Sequence, residues 1–303
     1  MSIVELFTRP GKKENPGEII RQRQLKHVVY VILRDPLAIF SILIILLFIT
    51  AAIVGPNIAP YPEQGYGKTS LTTRMLPPSQ DHLLGTDRLG RDILSRIIIA
   101  ARPALWVSLF VVFLAVLIGA PLGAIAGYFG GRVDNIIMRI TDLFLAFPFL
   151  LLALMIVTVL GPGLKNSAIA LVVSWWPWYT RLVRNIAASL RQRYYIDAAR
   201  SIGVPSIIII FRHILPNCIS PILVQMTVDL GTVILATSSL AFLGLGVQPP
   251  APDWGLMVNE GRAYILTEWW YSTFPGLAIF LTVLAYNLLG DVLRDILDPR
   301  QYR

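Results

Sequence analysis

An all-α polytopic membrane protein is the fold class this sequence predicts, and three observations predict it. Hydrophobic residues fill 55% of the 303 positions and charged residues 15%, where a soluble chain carries about a quarter charged. Mean hydropathy is +0.65, which implies more apolar surface than a water-soluble domain of this size can bury. Long stretches without Asp, Glu, Lys or Arg recur along the chain, and several reach the roughly 20 residues a helix needs to cross about 30 Å of hydrocarbon. Cys218 is the single cysteine, so no disulfide closes within this chain. The formal net charge is +8; in a membrane protein such an excess belongs to cytoplasmic loops, and no nucleic-acid partner is implied.

The elements follow in order. Segment 1–36 is polar, broken by Pro10 and Pro16 and without an apolar signal region, so it reads as a cytoplasmic N-terminal segment without a cleavable signal. The run 37–55 is a first transmembrane anchor. Residues 56–102 form an external loop, marked by Pro56, Pro60, Pro62, Pro77 and Pro78. Within it, Leu89, Ile93, Leu94, Ile97, Ile98 and Ala101 make a helical stripe with Arg88, Arg91 and Arg96 outside it. That pattern fits an interfacial amphipathic helix and a plain extension of the second span equally. Five further spans are expected near 104–127, 143–161, 167–185, 218–243 and 273–290. They make a core over 103–291, with a coupling loop at 186–216 and a tail over 292–303. Six spans place both termini inside. The segments then assigned to the cytoplasm hold more than twice the Lys and Arg of those outside, as the positive-inside rule requires. The first outer loop breaks the rule locally with Lys68, Arg74, Arg88, Arg91, Arg96 and Arg102, offset in part by Glu63, Asp81, Asp87 and Asp92.

Chemistry by this chain alone has little support. Gly67-Lys68-Thr69 tempts a P-loop reading, but the glycine that lets backbone wrap phosphate falls at Pro62. His27, His82 and His213 are scattered, so no metal site is expected, and no catalytic residue or cofactor is assigned. Gly119, Gly123 and Gly127 share one face of the second span, which suits close approach of another helix. In the third inner loop Ile186, Ala187, Leu190, Tyr194, Ala198 and Ile202 recur at helical spacing, with Arg184, Arg191, Arg193 and Arg200 as polar surface. Gly203 suits a helix C-cap and Pro205 the first turn of a second helix. A helix–glycine–helix knob of this kind fits force transfer to a partner; an amphipathic loop on lipid headgroups is the alternative.

Three sets of residues carry a family resemblance. Tyr195-Ile-Asp-Ala-Ala-Arg-Ser-Ile-Gly203 followed by Arg212-His-Ile-Leu-Pro216 resembles the EAA loop of ABC importer permeases, with Asp197 in place of the usual Glu and His213 where the pattern has Ile. Leu84-Gly-Thr-Asp-Arg-Leu-Gly-Arg-Asp92 and Phe242-Leu-Gly-Leu-Gly-Val-Gln-Pro-Pro-Ala-Pro-Asp-Trp-Gly255 resemble the C-type subunit of the dipeptide/oligopeptide/nickel permeases. The ending Asn287-Leu-Leu-Gly-Asp-Val-Leu-Arg-Asp-Ile-Leu-Asp-Pro299 does likewise. The resemblance covers roughly 30–300. It implies a type I ABC importer permease fold in the plasma (inner) membrane of a prokaryote. The implied partners are a homologous permease subunit, two ABC ATPase subunits that use ATP and Mg²⁺, an external substrate-binding protein and membrane lipid. Coupling to an ATPase falls on Asp197, Ala198, Ala199, Arg200, Ile202 and Gly203. The implied cargo is a di- or oligopeptide, with nickel chelates, glutathione and oligosaccharides as alternatives. A passive channel would have no use for the coupling loop, and an intramembrane enzyme would need more than one acid in its spans.

Two further sites are expected. Gln248, Pro249 and Trp254 lie in a stiff outer segment, 244–262, that reads as an external gate or binding-protein contact, with Trp254 as an interface anchor; a rigid connector is the alternative. Asp229 falls in mid-span, where a charge should avoid lipid. With Gln225, Thr232, Ala236 and Ser239 it forms a polar stripe expected to face the translocation path, with burial at a subunit contact as the alternative.

Overall fold

The computed structural model describes residues 33–297. The N-terminal segment up to residue 32 and the last part of the tail, 298–303, lie outside the described residues. Helix α1 (Pro36–Ile58) starts where the Asp35 carboxylate accepts the Leu37 N–H at 2.8 Å, a cap followed by proline at the first helical position. It buries Ala38, Ser41, Ile45, Phe48, Ala52 and Gly55, a three-and-four repeat on one face, and leaves Leu43, Leu47 and Ile53 exposed for lipid.

Helix α2 (Ile93–Phe129) is continuous over 37 residues. The stripe that began in the outer loop is therefore an extension of the second span, and a division at residue 102 cuts this helix. Asp92 caps it by accepting the Ser95 N–H at 2.8 Å, and positive-φ Gly130 ends it. The third expected span, 143–161, is not one helix. Helices α3 (Gly131–Leu145) and α4 (Phe149–Leu160) meet at 82°. Pro148 lacks an N–H and disfavours helical geometry at Phe147, so the chain turns there. Helix α5 (Leu164–Leu190) follows, then α6 (Tyr194–Ser201), a single turn Ser206–Ile209 and one wide π-turn, Ile210–Ile214. Helix α7 (Leu215–Phe242), a short helix α8 (Trp254–Gly261) and α9 (Trp270–Leu297) complete the fold.

Among the described residues four helices are long and apolar enough to span a membrane, namely α1, α2, α7 with its preceding turns, and α9; the bent pair α3–α4 makes a fifth. Helix α5 has the length, at 27 residues, but it carries Lys165, Arg181 and Arg184 and is not among these helices.

Two cores hold the bundle. The inner one joins the second half of α2 to α4, α5, α6 and α7 through Val111, Val157, Leu171, Tyr179, Ile196 and Ile214. The outer one joins α1, the first half of α2, α8 and α9 around Phe48, Ile93, Ile97, Trp254 and Tyr271. The glycine face of α2 packs on α5 of the same chain. A Cβ on Gly119, Gly123 or Gly127 would meet the carbonyl oxygen of Trp176, Thr180 or Arg184 at 2.4, 2.4 and 2.5 Å. The four-residue spacing of the glycines thus matches the four-residue spacing of the backbone they touch, and the two helices lie in van der Waals contact.

Candidate functional site

At one end of the bundle, segment 191–214 stands on a buried base. Ile196 and Ala199 of α6 point into the inner core, with Ile209, Ile210 and Ile214 behind them. The π-turn inserts an extra residue per turn, which lets these isoleucines face inward before α7 begins. Gly203 adopts φ +79 at the end of α6, the left-handed conformation that glycine takes most easily. Its N–H reaches the Arg200 carbonyl at 2.9 Å and the Val204 N–H reaches the Ala199 carbonyl at 3.1 Å. Pro205 stands just before the next turn as its cap, one place earlier than the sequence suggested. The apolar stripe from Ile186 to Ile202 is shared by two helices, because α5 ends at Leu190 and α6 begins at Tyr194.

Of the coupling residues, Ala199 is buried, Arg200 is half-buried and Asp197, Ala198, Ile202 and Gly203 are exposed. Arg200 holds the segment to α2: its guanidinium lies 4.7 Å from the Tyr128 ring centroid, and its Nε donates to the Tyr128 hydroxyl at 3.3 Å. Asp197 pairs with Arg200 at 3.8 Å. Tyr194 at 93%, Ile202 at 80% and Ile207 at 58% exposure project from this base.

The mid-span stripe is placed differently from expectation. Gln225, Thr232 and Ser239 are half-buried, whereas Asp229 and Ala236 are buried. The Asp229 carboxylate accepts from Gln225 Nε2 at 3.0 Å and faces Trp175 and Tyr179 of α5. It therefore neither opens onto a cavity within this chain nor meets a cation among the described residues. Gln225 also lines a recess of about 700 Å³ with Asn217, Ser220, Asp291 and Arg294 at the same end of the bundle as the coupling segment.

At the opposite end, the loop between α1 and α2 is locked by buried charge. Asp87 Oδ1 accepts the Leu89 and Arg91 N–H groups at 2.8 and 2.9 Å. Its Oδ2 accepts from Arg91 Nε at 2.6 Å and Arg96 Nη1 at 2.8 Å. Both arginines also reach Glu260 Oε2, at 3.1 and 2.9 Å. Arg91 and Arg96 are therefore not the polar face of an interfacial helix: opposite charges meet in a buried site, where each offsets part of the desolvation of the others. Burial alone raises the Glu260 carboxyl, but Arg96 and Arg91 outweigh it and hold the group below the usual range. Gly85 and Gly90 supply the positive φ this loop needs, and Gly90 lies against the Ser70 carbonyl. His82 Nδ1 sits 2.9 Å from Asp92 Oδ1.

Trp254 is 1% exposed, donates its indole N–H to the Ile97 carbonyl at 3.0 Å and packs edge-on against Phe48. It is a core residue and not an interface anchor. The reason is the Asp253 cap, which accepts the Leu256 N–H at 3.0 Å and turns α8 back onto α2. Burial pushes the Asp253 carboxyl up to about 6, against the pull of its backbone hydrogen bonds and Arg96. Gln248 and Pro249 remain exposed.

The sequence reading missed Glu260 as an ion-pair partner, because it lies more than 160 residues from Arg91 and Arg96. It also missed Trp175 and Tyr179 as neighbours of Asp229. The one available signal was Arg91 and Arg96 themselves, basic residues in a loop where the charge rule disfavours them.

The bundle of long apolar helices thus carries a projecting helix–glycine–turn segment at one end and a pinned loop at the other. The fold is similar to a chain of the MetNI methionine ABC transporter in inward-facing conformations, with TM-score 0.55 and 19% identity, over 67% of this chain and 96% of that one. The chain belongs to the family of binding-protein-dependent transport system inner membrane components, which it matches over residues 119–303. Residues 24–78 match the N-terminal transmembrane domain of oligopeptide transport permease C. It is similar to a dipeptide transport system permease protein of Alkalihalophilus pseudofirmus, 45% identical over 88% of this chain and 87% of the relative. It is 41% identical to a probable D,D-dipeptide transport system permease protein of Escherichia coli K12, over 90% and 91% of the two chains. A glutathione transport system permease protein of Pectobacterium atrosepticum is 44% identical over 88% of both. The protein is thus a transport permease of an ABC importer.

Proposed function

We propose that this chain forms half of the translocation path of an ATP-driven importer of short peptides, paired with a homologous permease subunit. Two ATPase subunits bind ATP and Mg²⁺, and an external substrate-binding protein delivers cargo. The observation that carries this reading is the coupling segment: Tyr194, Ile202 and Ile207 project from a base that Ile196, Ala199 and Ile209 bury. A knob fixed to the inner core moves with α5 and α7, so ATPase closure against it reorients those helices. Transmission requires that the knob's contacts differ between nucleotide states. The path runs along the accessible part of the α7 stripe, Gln225, Thr232 and Ser239; Asp229 holds α7 against α5 behind it. Both termini are cytoplasmic, with α3–α4 as one span and α5 as another. Peptide cargo follows from the relatives named for dipeptides and glutathione, which share an amide backbone and a free carboxylate.

The test is uptake of radiolabelled di- and tripeptides by proteoliposomes holding the whole complex. Uptake should require ATP inside and the binding protein outside. Gly203→Val should cut it severalfold with assembly intact, because a left-handed φ costs a β-branched residue about 1–2 kcal/mol while no atom lies within 4 Å of the new Cβ. Wild-type uptake by an assembled Gly203→Val complex would remove the coupling role. Transport of nickel chelates or oligosaccharides in place of peptides would overturn the cargo.

A further inference from the structure

The outer loop's excess of basic residues sorts into two groups. Arg91 and Arg96 are buried against Asp87 and Glu260, and Lys68 pairs with Glu63. Arg74, Arg88 and Arg102 are exposed and make no ion pair among the described residues, and neither does Arg262 between α8 and α9. Among the described residues, exposed Asp81 and half-buried Glu268 are acids of these segments that make no ion pair. Arg88 and Arg262, distant in sequence, rim one recess of about 350 Å³, with Pro249, Asn259, Glu260 and Tyr264 as walls and floor. The carboxylate in its floor is already consumed by Arg91 and Arg96. The Arg262 guanidinium rests 5.6 Å from the Phe242 ring centroid, which restrains it at the rim. The recess therefore presents two exposed guanidiniums, neither in a direct ion pair among the described residues, over a base where Glu260 is held by Arg91 and Arg96 and feels Arg88 only at longer range, at the end of the bundle away from the coupling segment.

We propose that this recess receives an acidic side chain from the rim of the substrate-binding protein. The proposal rests on the importer reading above and gives it an outer contact. Arginine suits the role because its planar fork takes a carboxylate through two parallel hydrogen bonds. The floor is fixed, so little ordering cost is left to docking. A pair at the rim, reached by solvent, acts chiefly on the rate of encounter and its salt dependence. Exposed Pro249 lines the same recess, so the outer segment expected to meet the binding protein reaches the two arginines through that residue.

The experiment uses the whole complex in nanodiscs and measures ATPase activity against concentration of the cognate binding protein at low and high salt. For the wild type, half-saturation should rise with salt. The double variant Arg88→Glu/Arg262→Glu should raise half-saturation about tenfold at low salt and flatten the salt dependence, as rim charges do. Its activity without binding protein should stay unchanged. Arg102→Glu, outside the recess, should behave as wild type. Reversing acidic rim residues of the binding protein to Lys should restore docking to the double variant. Unchanged half-saturation in the double variant overturns the proposal. So does a defect that disappears in discs of neutral phosphatidylcholine, which would assign the recess to anionic headgroups. A wild-type complex that no binding protein stimulates defeats the importer reading itself, and this proposal with it.

Discussion

Adding one methyl group at Gly123 should separate two helices that the fold requires to touch. The new Cβ would stand 2.4 Å from the Thr180 carbonyl oxygen, 2.9 Å from the Arg184 nitrogen and 3.0 Å from the Val183 Cβ. The first two are helix backbone, so no rotamer change relieves them. Reaching an ordinary carbon–oxygen contact of about 3.3 Å requires α5 to withdraw by roughly 0.9 Å, while Gly119 and Gly127 hold it in place on either side. Overpacking of this kind costs about 1–3 kcal/mol. The matched control is Gly276→Ala in α9, where the nearest atom, Val258 Cγ2, lies 4.0 Å away. There the replacement should cost nothing and gain up to about 1 kcal/mol of helix propensity. Thermal unfolding of the purified complex, followed by tryptophan fluorescence, should show a lower midpoint for Gly123→Ala and an equal or higher one for Gly276→Ala. Equal midpoints would refute the close α2–α5 contact.

Three more outcomes are expected. Glu260→Ala leaves Arg91 and Arg96 sharing one buried acid, and should destabilise the complex by about 3–5 kcal/mol in the same unfolding assay, while Asp81→Asn, exposed and unpaired, should have no effect. Asp253 is raised from 3.8 to about 6, so its contribution is fully present below pH 4 and lost as pH rises through 6; Asp253→Asn keeps a cap and should flatten that part of the stability–pH curve. Single cysteines at 225, 232 and 239, in a background lacking Cys218, should react with hydrophilic maleimide in at least one nucleotide state. A cysteine at the buried position 236 should stay unlabelled, and the reverse pattern would move the path to another face.

Four of the expected spans, 37–55, 104–127, 218–243 and 273–290, were legible because they depend on local composition and each falls, to within a residue, in one long apolar helix. Asp35-Pro36 marks the start of α1 and Asp92 that of α2 through caps that need no tertiary partner. The glycine turn at 203 was legible for the same reason. The break at Pro148 was legible in principle but masked by an uninterrupted apolar run, since hydropathy does not distinguish a helix from two helices at an angle. Glu260, Trp254 and Asp229 were misread or missed because their environment comes from elements far away in sequence. An isolated arginine, tryptophan or aspartate looks the same in a chain whether it meets water, lipid or a partner side chain. The stripe on α7 had the correct period, but period fixes a face and not the neighbour that covers it, and α5 covers Asp229.

Helix α2 belongs to both cores, and at 1.5 Å per residue its 37 residues measure about 55 Å, well beyond the hydrocarbon layer. Its outer end carries Arg96 and Ile97, on which the loop and α8 rest; its inner end carries Tyr128, on which Arg200 of the coupling segment rests. In the assembly proposed above, this single rod is clamped at each tip to a surface assigned to a different partner. Thermodynamic reciprocity then applies: whatever factor an outer partner imposes on the affinity at the inner tip, the inner partner imposes on the affinity at the outer tip. Nucleotide state should accordingly be readable as a change in how tightly the extracellular protein is held, without any nucleotide touching this chain.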